Sequence, residues 1–245
     1  MKCGILGYGY VGKATHESLV KDCAVEIYDL LFENKKDNLY DCNVVFICIP
    51  TNEIKDIETI IREIKDIKNN NPDVTVVIRS TLPLGASKYI QEKVGSIVYI
   101  PEFLRERYWN TDCLKRPLIV GYDDSKELPD LIKNENIYKC STTEAELVKM
   151  FANNLAVVKI AYANVFYDLS EKTGANYDIV KDMFFKVQHD QTYMEVPGHD
   201  GTRGFGGKCL PKDLDFLINT LDEYKIDQNW FKHIRKLNKE WVKKF

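Results

Sequence analysis

Lys2-Cys3-Gly4-Ile5-Leu6-Gly7-Tyr8-Gly9-Tyr10-Val11-Gly12 opens the chain with a short apolar run, three glycines spaced G-x-G-x-x-G, and the first residues of a helix-favouring stretch. With a strand before it and a helix after it, each glycine has a separate task. The first permits a tight turn, the second lets the backbone approach a pyrophosphate, and the third lets helix and strand pack closely. The helix then offers unpaired N–H groups and its positive dipole end to the phosphates. Asp29 closes the next apolar run, where a carboxylate accepts hydrogen bonds from the adenosine ribose hydroxyls and repels a 2′-phosphate. The pattern predicts NAD, not NADP, as the bound dinucleotide.

Outward from this turn, apolar runs at residues 2–6, 25–28, 44–49, 74–78, 96–100 and 118–120 alternate with helical patterns, as in a parallel sheet covered on both faces. Between the third and fourth runs Ile54, Ile57, Ile61, Ile64 and Ile67 repeat every three or four residues, which predicts an amphipathic helix. Near Ser141 the pattern changes. A capping box from Thr143 to Glu146 is expected to open a helix that runs to about Lys172 and stops at Gly174. Further helical patterns cover residues 178–186, 212–223 and 229–243, with a polar, glycine-rich segment at 197–207 too long for a simple turn. The expected fold is α/β: a Rossmann-type doubly wound parallel sheet over residues 1–140, followed by an all-helical domain over 141–245.

Composition narrows the function. With 245 residues, 44% of them hydrophobic and 29% charged, the chain can bury a full core. A net charge of -3 without a basic tract argues against nucleic acid as a partner. No apolar run approaches the roughly 20 residues that span a bilayer, and the first residues lead straight into the glycine motif without a signal peptide. A cytoplasmic protein with no membrane partner is expected. The seven cysteines (3, 23, 42, 48, 113, 140 and 209) lack C-x-x-C spacing and read as reduced thiols, mostly buried. The four histidines show no ligand spacing, and no metal site is expected.

The strongest chemical signal is Gly204-Phe205-Gly206-Gly207-Lys208-Cys209-Leu210-Pro211-Lys212-Asp213. Pro211 suits the first turn of a helix, which puts Cys209 at its amino end, where the dipole, Lys208 and Lys212 favour a nucleophilic thiolate; a free cysteine can equally be a small buried filler, but the flanking glycines and charges argue for a partly open site. Asp213, four residues on, lies on the same face and can orient a water or hold a proton. In the long helix Lys149 and Asn153 are spaced i, i+4, an ammonium and an amide able to stabilise an alkoxide, although the same pair is common on helix surfaces. Ser80-Thr81-Leu82-Pro83 and Pro101-Glu102-Phe103-Leu104-Arg105-Glu106 each follow a strand at the sheet edge where ligands bind, or else simply cap the next helix.

Taken in order, Gly7-x-Gly-x-x-Gly12, Ser80-Thr81-x-Pro83, Pro101 to Glu106, Lys149-x-x-x-Asn153 and Gly204 to Asp213 resemble the UDP-glucose and GDP-mannose 6-dehydrogenase family over essentially the whole chain. The resemblance implies a four-electron oxidation of the primary alcohol of a nucleotide-linked hexose to the carboxylate, with two NAD reduced at one site, in the service of polysaccharide biosynthesis. It makes Cys209 the nucleophile of a thiohemiacetal and thioester. Lys149 and Asn153 hold the substrate oxygen, and Asp213, Glu106 and Thr81 position water or relay protons. The cofactor contacts it implies are Gly7, Gly9, Tyr10, Val11, Gly12, Asp29, Pro50, Thr51 and Thr81. Glu102, Phe103, Leu104, Arg203 and Gly206 join Lys149 and Asn153 toward the sugar. The arginine that the family presents from an Arg-Ile-Gly motif has no clear match in this sequence, and Arg203 is the one candidate stand-in. The resemblance further implies a homodimer through the helical domain.

The chain also departs from the family's pattern. Family members generally continue into a second doubly wound domain that grips the nucleotide, whereas 36 residues follow Cys209 here, so a short form with weaker hold on a sugar nucleotide is expected. The stretch from Asp29 to Val44 is also shorter than the usual connection. Two other readings compete: a 3-hydroxyacid or 6-phosphogluconate-type two-electron dehydrogenase, which needs no nucleophilic cysteine, and a non-catalytic, truncated dinucleotide-binding homologue.

Overall fold

The computed structural model describes residues 1–32, 34–113, 118–123, 129, 137–187, 196–198, 200–223, 225 and 227–242, apart from the side chains of residues 165, 168, 169 and 172. It divides into two compact units, Met1–Lys149 and Met150–Phe245.

The first unit is built on strands β1 (Lys2–Leu6), β2 (Ala24–Tyr28), β3 (Val44–Ile47), β4 (Thr75–Ile78), β5 (Val98–Tyr99), β6 (Leu118–Gly121) and β7 (Ile137–Cys140), in the sheet order β2-β1-β3-β4-β5-β6-β7. Pairing is parallel except between β5 and β6, which meet antiparallel at Tyr99 and Gly121. The strand order reverses direction between β1 and β3, the switch point beside which open α/β sheets bind ligands. Every strand expected from the sequence is present within a few residues. Two features were not expected. β6 runs against β5, and their connection holds, among the described residues, only a 3-10 turn (Glu106–Tyr108) and the one-turn helix α4 (Trp109–Asp112), not a crossover helix. β7 was missed because its four residues, half of them exposed, carry no clear alternation.

Period-two alternation splits the core between the two faces of the sheet. Cys3, Ile5, Val44, Phe46, Cys48 and Val77 face one way and pack with Leu19 of α1 (Tyr10–Leu19). Leu6, Val45, Ile47, Val76 and Ile78 face the other, beneath Ile57, Ile60, Ile61, Ile64 and Ile67 of α2 (Asp56–Asn70) and Ile90 of α3 (Ala86–Val94). The isoleucine stripe of α2 is therefore core, and only Ile54, before the helix begins, is exposed.

The long helix α5 spans Thr142–Thr173 and ends where Gly174 turns to φ +72°. Its cap differs from the expectation. The capping box is Ser141 with Glu144: the Ser141 N–H donates to Glu144 Oε2 (2.7 Å) and the Glu144 N–H donates to Ser141 Oγ (3.2 Å). The Thr143 hydroxyl has no hydrogen-bond partner. Glu146 is instead buried against α3, where its carboxylate accepts from the N–H groups of Gly85 (2.8 Å) and Ser87 (2.7 Å) and so caps a helix 60 residues upstream. Burial pushes its pKa above the usual carboxylate value despite those hydrogen bonds.

In the second unit α5 is joined by α6 (Tyr177–Val187), α7 (Leu210–Glu223) and α8 (Asn229–Val242). The helix expected to reach residue 243 is described to Val242. Val157, Ile160 and Ala161 pack with Phe205, Leu214, Ile218, Ile234 and Trp241 to form its core. No helix among the described residues is long and apolar enough to cross a membrane.

Candidate functional site

The glycine turn has the geometry its spacing predicts. Gly7 has φ +94°, and a Cβ there would lie 2.8 Å from the Cys48 carbonyl oxygen. A Cβ on Gly12 would stand 2.1 Å from the Gly7 oxygen, so helix α1 can sit on β1 only with glycine at that position. Gly9 is different: a Cβ would meet no protein atom within 4 Å. Its constraint is not internal packing, which fits a backbone left bare for a ligand. Gly9 is also the N-cap of α1 and makes no side-chain cap, so the first-turn N–H groups of Tyr10 and Val11 stay available for an anion.

Asp29 lies beside this turn at the end of β2. Its Oδ2 accepts from the Tyr8 N–H (2.6 Å) and its Oδ1 from the Leu31 N–H (2.9 Å), which fixes the carboxylate while leaving lone pairs for hydroxyl donors. Across the switch point, exposed Pro50 and buried Thr51 follow β3. The Thr51 hydroxyl donates to the Thr81 carbonyl (2.6 Å), and Ser80 Oγ donates to the Ile49 carbonyl (2.6 Å), so the loops after β3 and β4 are pinned together. The residues present thus fit a dinucleotide: bare glycine backbone, an open helix end, a fixed acid and a braced loop pair.

After β5 the chain carries a second cluster. Glu102 is buried and forms an ion pair with Lys149, with Oε1 3.1 Å from Nζ, while Oε2 accepts from the Leu104 N–H (2.7 Å). Lys149 also lies over the Phe103 ring, 5.5 Å from its centroid. Burial raises the Glu102 pKa, but the Lys149 charge, the Leu104 N–H and the Arg79 charge outweigh it and hold the carboxyl below its usual value. Glu106 is exposed and accepts a hydrogen bond from the Tyr10 phenol, whose pKa it raises.

The second unit presents the cysteine loop. Cys209 is exposed and sits immediately before α7, its carbonyl accepting the first helical hydrogen bond from the Asp213 N–H (2.8 Å). Pro211 falls in the first turn, as expected. Asp213 is buried: Oδ2 accepts a hydrogen bond from the Asn153 amide, while Oδ1 has no hydrogen-bond partner and lies 3.7 Å from Lys212 Nζ. The loop itself is held by two residues that the sequence reading passed over. Asn238 of α8 grips both backbone groups of Phe205, accepting from its N–H (2.7 Å) and donating to its carbonyl (2.8 Å). A Cβ on Gly204, at φ +88°, would lie 2.3 Å from the Asn238 Oδ1 that performs this task. Asn164 binds Arg203 from α5, accepting from Nε at Oδ1 (3.1 Å) and from Nη2 at its carbonyl (3.2 Å). Arg203 is buried against Tyr167 and Trp241, whereas Gly206 is exposed with open space around its Cα.

The structure therefore brings Gly7, Gly9, Gly12 and Asp29 together, Thr51 with Thr81, Glu102 with Phe103, Leu104 and Lys149, Glu106 with Tyr10, and Asn153 with Asp213. A switch-point dinucleotide turn on a mostly parallel sheet, followed by a helical unit with an exposed cysteine at a helix amino end, defines the class as a Rossmann-type dehydrogenase. More narrowly, the chain belongs to the UDP-glucose/GDP-mannose dehydrogenase family, whose NAD binding domain matches residues 16–142 and whose central domain matches residues 143–240.

Individual relatives agree. The chain is 29% identical to the UDP-glucose 6-dehydrogenase of Campylobacter jejuni, with 100% of this chain aligned to 73% of that protein. It is 33% identical to the UDP-glucose 6-dehydrogenase of Rickettsia typhi over 88% of this chain and 54% of that protein, and so spans about half the length of that relative. Among solved structures, a UDP-D-ManNAc dehydrogenase from Pyrococcus horikoshii superposes with a TM-score of 0.78 at 20% identity, covering 98% of this chain and 69% of the other. A Mycobacterium tuberculosis 3-hydroxyisobutyrate dehydrogenase gives 0.77 at 17% identity, covering 98% and 92%. At these identities the two structures share the fold.

Proposed function

We propose that this chain catalyses the NAD-dependent oxidation of the primary alcohol of a nucleotide-linked hexose, of the UDP-glucose class, to the carboxylate. The observation that carries the reading is Cys209, exposed at the amino end of α7, one turn before a buried Asp213 carboxylate with one oxygen lacking a hydrogen-bond partner. Bound NAD supplies the hydride acceptor for both oxidation stages. The Cys209 thiolate adds to the carbon of the aldehyde formed in the first stage, making a C–S bond, and the oxyanion takes a proton. After the second stage the carbon is a thioester; water adds to it, the C–S bond breaks and the thiol returns.

Lys149 and Asn153 hold the substrate oxygen and offset its developing negative charge. Glu102 tethers Lys149, and with Phe103 and Leu104 contacts the sugar. Asp213, Thr81 and Glu106 orient water and relay protons. Gly206, lacking a side chain, leaves room for approach to the sulfur. Arg203, buried on Asn164, acts through the loop it anchors. The protein works in the cytoplasm as a homodimer through α5, on which Phe151, Leu155, Tyr162 and Phe166 are exposed at spacings that share one face.

The test is to supply NAD with a panel of sugar nucleotides, sugar phosphates and hydroxyacids and to count NADH formed per substrate consumed. Two NADH per carboxylate, with no acid from Cys209→Ser, is the expected result. One NADH per hydroxyacid overturns the four-electron reading in favour of a two-electron dehydrogenase, and no NADH with any compound supports a binding protein.

A further inference from the structure

Two of the cysteines outside the proposed chemistry face each other. Cys3 begins the buried face of β1, and Cys23 lies in the turn between α1 and β2, where its N–H donates to the Leu19 carbonyl (3.1 Å). The Cys23 thiol donates to Cys3 Sγ at 3.0 Å. A disulfide bond is about 2.05 Å long, so a closing movement of about 1 Å separates the dithiol from the bonded pair. Both side chains pack in the same core layer, which aims them at one another. Cys42 packs in the opposite layer, and its thiol donates to the Asn38 carbonyl (3.5 Å), so it does not compete. Cys3 is buried and Cys23 is half-buried, so only one member of the pair is open to a reagent.

We propose that Cys3 and Cys23 are a reversible dithiol–disulfide pair, oxidised by a small-molecule disulfide such as oxidised glutathione. The Cys23 thiolate attacks one sulfur of the oxidant, forming a mixed disulfide and releasing one glutathione thiolate. Cys3 then loses its proton and attacks Cys23 Sγ, forming the Cys3–Cys23 bond and expelling the second glutathione. Two protein thiols lose two electrons, one oxidised glutathione becomes two reduced molecules, and the two thiol protons pass to the leaving thiolates. Because Cys3 is buried and Cys23 only half-buried, the first attack falls to Cys23, and burial together with the adjacent Cys23 also raises the Cys3 thiol above the ordinary thiol range. The bond ties the start of β1 to the start of β2, at the end of these strands away from Gly7. It constrains the unfolded chain without touching the dinucleotide turn.

The experiment equilibrates the full chain in glutathione buffers of stepped redox ratio, quenches with acid, alkylates and maps tryptic peptides. The expected product joins residues 3–13 to residues 22–35 with the loss of two hydrogens and is reversed by dithiothreitol. Its formation raises Tm by several degrees and leaves NAD affinity unchanged. Cys42→Ser retains the link, and Cys23→Ser abolishes both the link and the response of Tm to glutathione. A stable glutathione adduct on Cys23, a link through Cys42, no link at the most oxidising ratio, or loss of NAD binding on oxidation overturns the proposal, and wild-type mapping decides it even if Cys23→Ser fails to fold.

Discussion

Lys149 Nζ stands 3.1 Å from Glu102 Oε1 although the two residues are 47 positions apart, and their side chains are only 3% and 8% exposed. Such a pair is costly to desolvate and is weak evidence for stability on its own, but breaking it strands a buried charge. Its position after β5, with Leu104 and Phe103 completing the surroundings of both charges, gives the first unit a fixed ammonium at the sheet edge where ligands bind.

Removing either partner should therefore cost more than removing both. Lys149→Met and Glu102→Gln are each expected to lose about 3–5 kcal/mol in urea unfolding, while the double variant recovers a large part of that loss. Additive losses would show that the two side chains do not act as a pair.

Acid should separate Glu102 from Glu146. The Glu102 pKa is lowered in the folded chain, so its contribution is present above the unfolded carboxylate value of about 4.3 and is lost as pH falls through the lower folded value. The Glu146 pKa is raised, so its contribution is full below the unfolded value and is lost as pH rises through the folded one. Relative to Glu146→Gln, the wild type is expected to lose stability as pH is raised above about 4.3 and then level off. A flat difference across that range would contradict the assignment.

Two of the turn glycines, Gly12 and Gly9, should fail in different ways. Gly12→Ala places a methyl group 2.1 Å from the Gly7 oxygen and should unfold the turn, with loss of Tm and of NAD binding together. Gly9→Ala meets no protein atom within 4 Å and should fold normally. Its NAD affinity should still fall by about tenfold or more, equivalent to about 1.4 kcal/mol. Calorimetry and a melting curve on the same samples check both, and an unchanged NAD affinity for Gly9→Ala would remove the turn from the cofactor site.

Thiol labelling should rank the cysteines by environment. Burial pushes the Cys42 and Cys48 thiols up to about 11, whereas Cys209 is exposed at the amino end of α7. Iodoacetamide near pH 8 is expected to modify Cys209 first and to leave Cys42 and Cys48 unmodified until denaturant is added. Peptide mapping over time reads the order directly.

Asn238→Ala deletes both side-chain hydrogen bonds to Phe205 and should destabilise the chain by about 1–3 kcal/mol. Because the same amide holds the loop that leads to Cys209, the labelling rate of Cys209 should change with it. An unaltered rate would mean that the loop keeps its shape without Asn238.

Much of this is legible in the sequence alone. The glycine spacing, Asp29, the isoleucine period of α2, Pro211 before Asp213 and Gly174 after α5 are local signals, each set by backbone sterics or by which residues share a face. The misreadings arose where local signals are ambiguous. Ser141 to Glu144 and Thr143 to Glu146 both satisfy a capping-box pattern, and the choice went to the first because Glu146 is claimed by the N–H groups of Gly85 and Ser87. β7 has no sequence signature because its stability comes from parallel pairing with β6.

The sequence by itself determined the first six strands, the dinucleotide turn and the placement of a cysteine at a helix amino end, because periodicity and turn chemistry act over a few neighbouring residues. Only the tertiary structure decided the partners: Glu102 for Lys149, Asp213 for Asn153, Asn238 for Phe205, Asn164 for Arg203 and Cys23 for Cys3. Those pairs join residues 20 to 60 positions apart, and only packing against a shared core brings such distant groups within hydrogen-bonding distance.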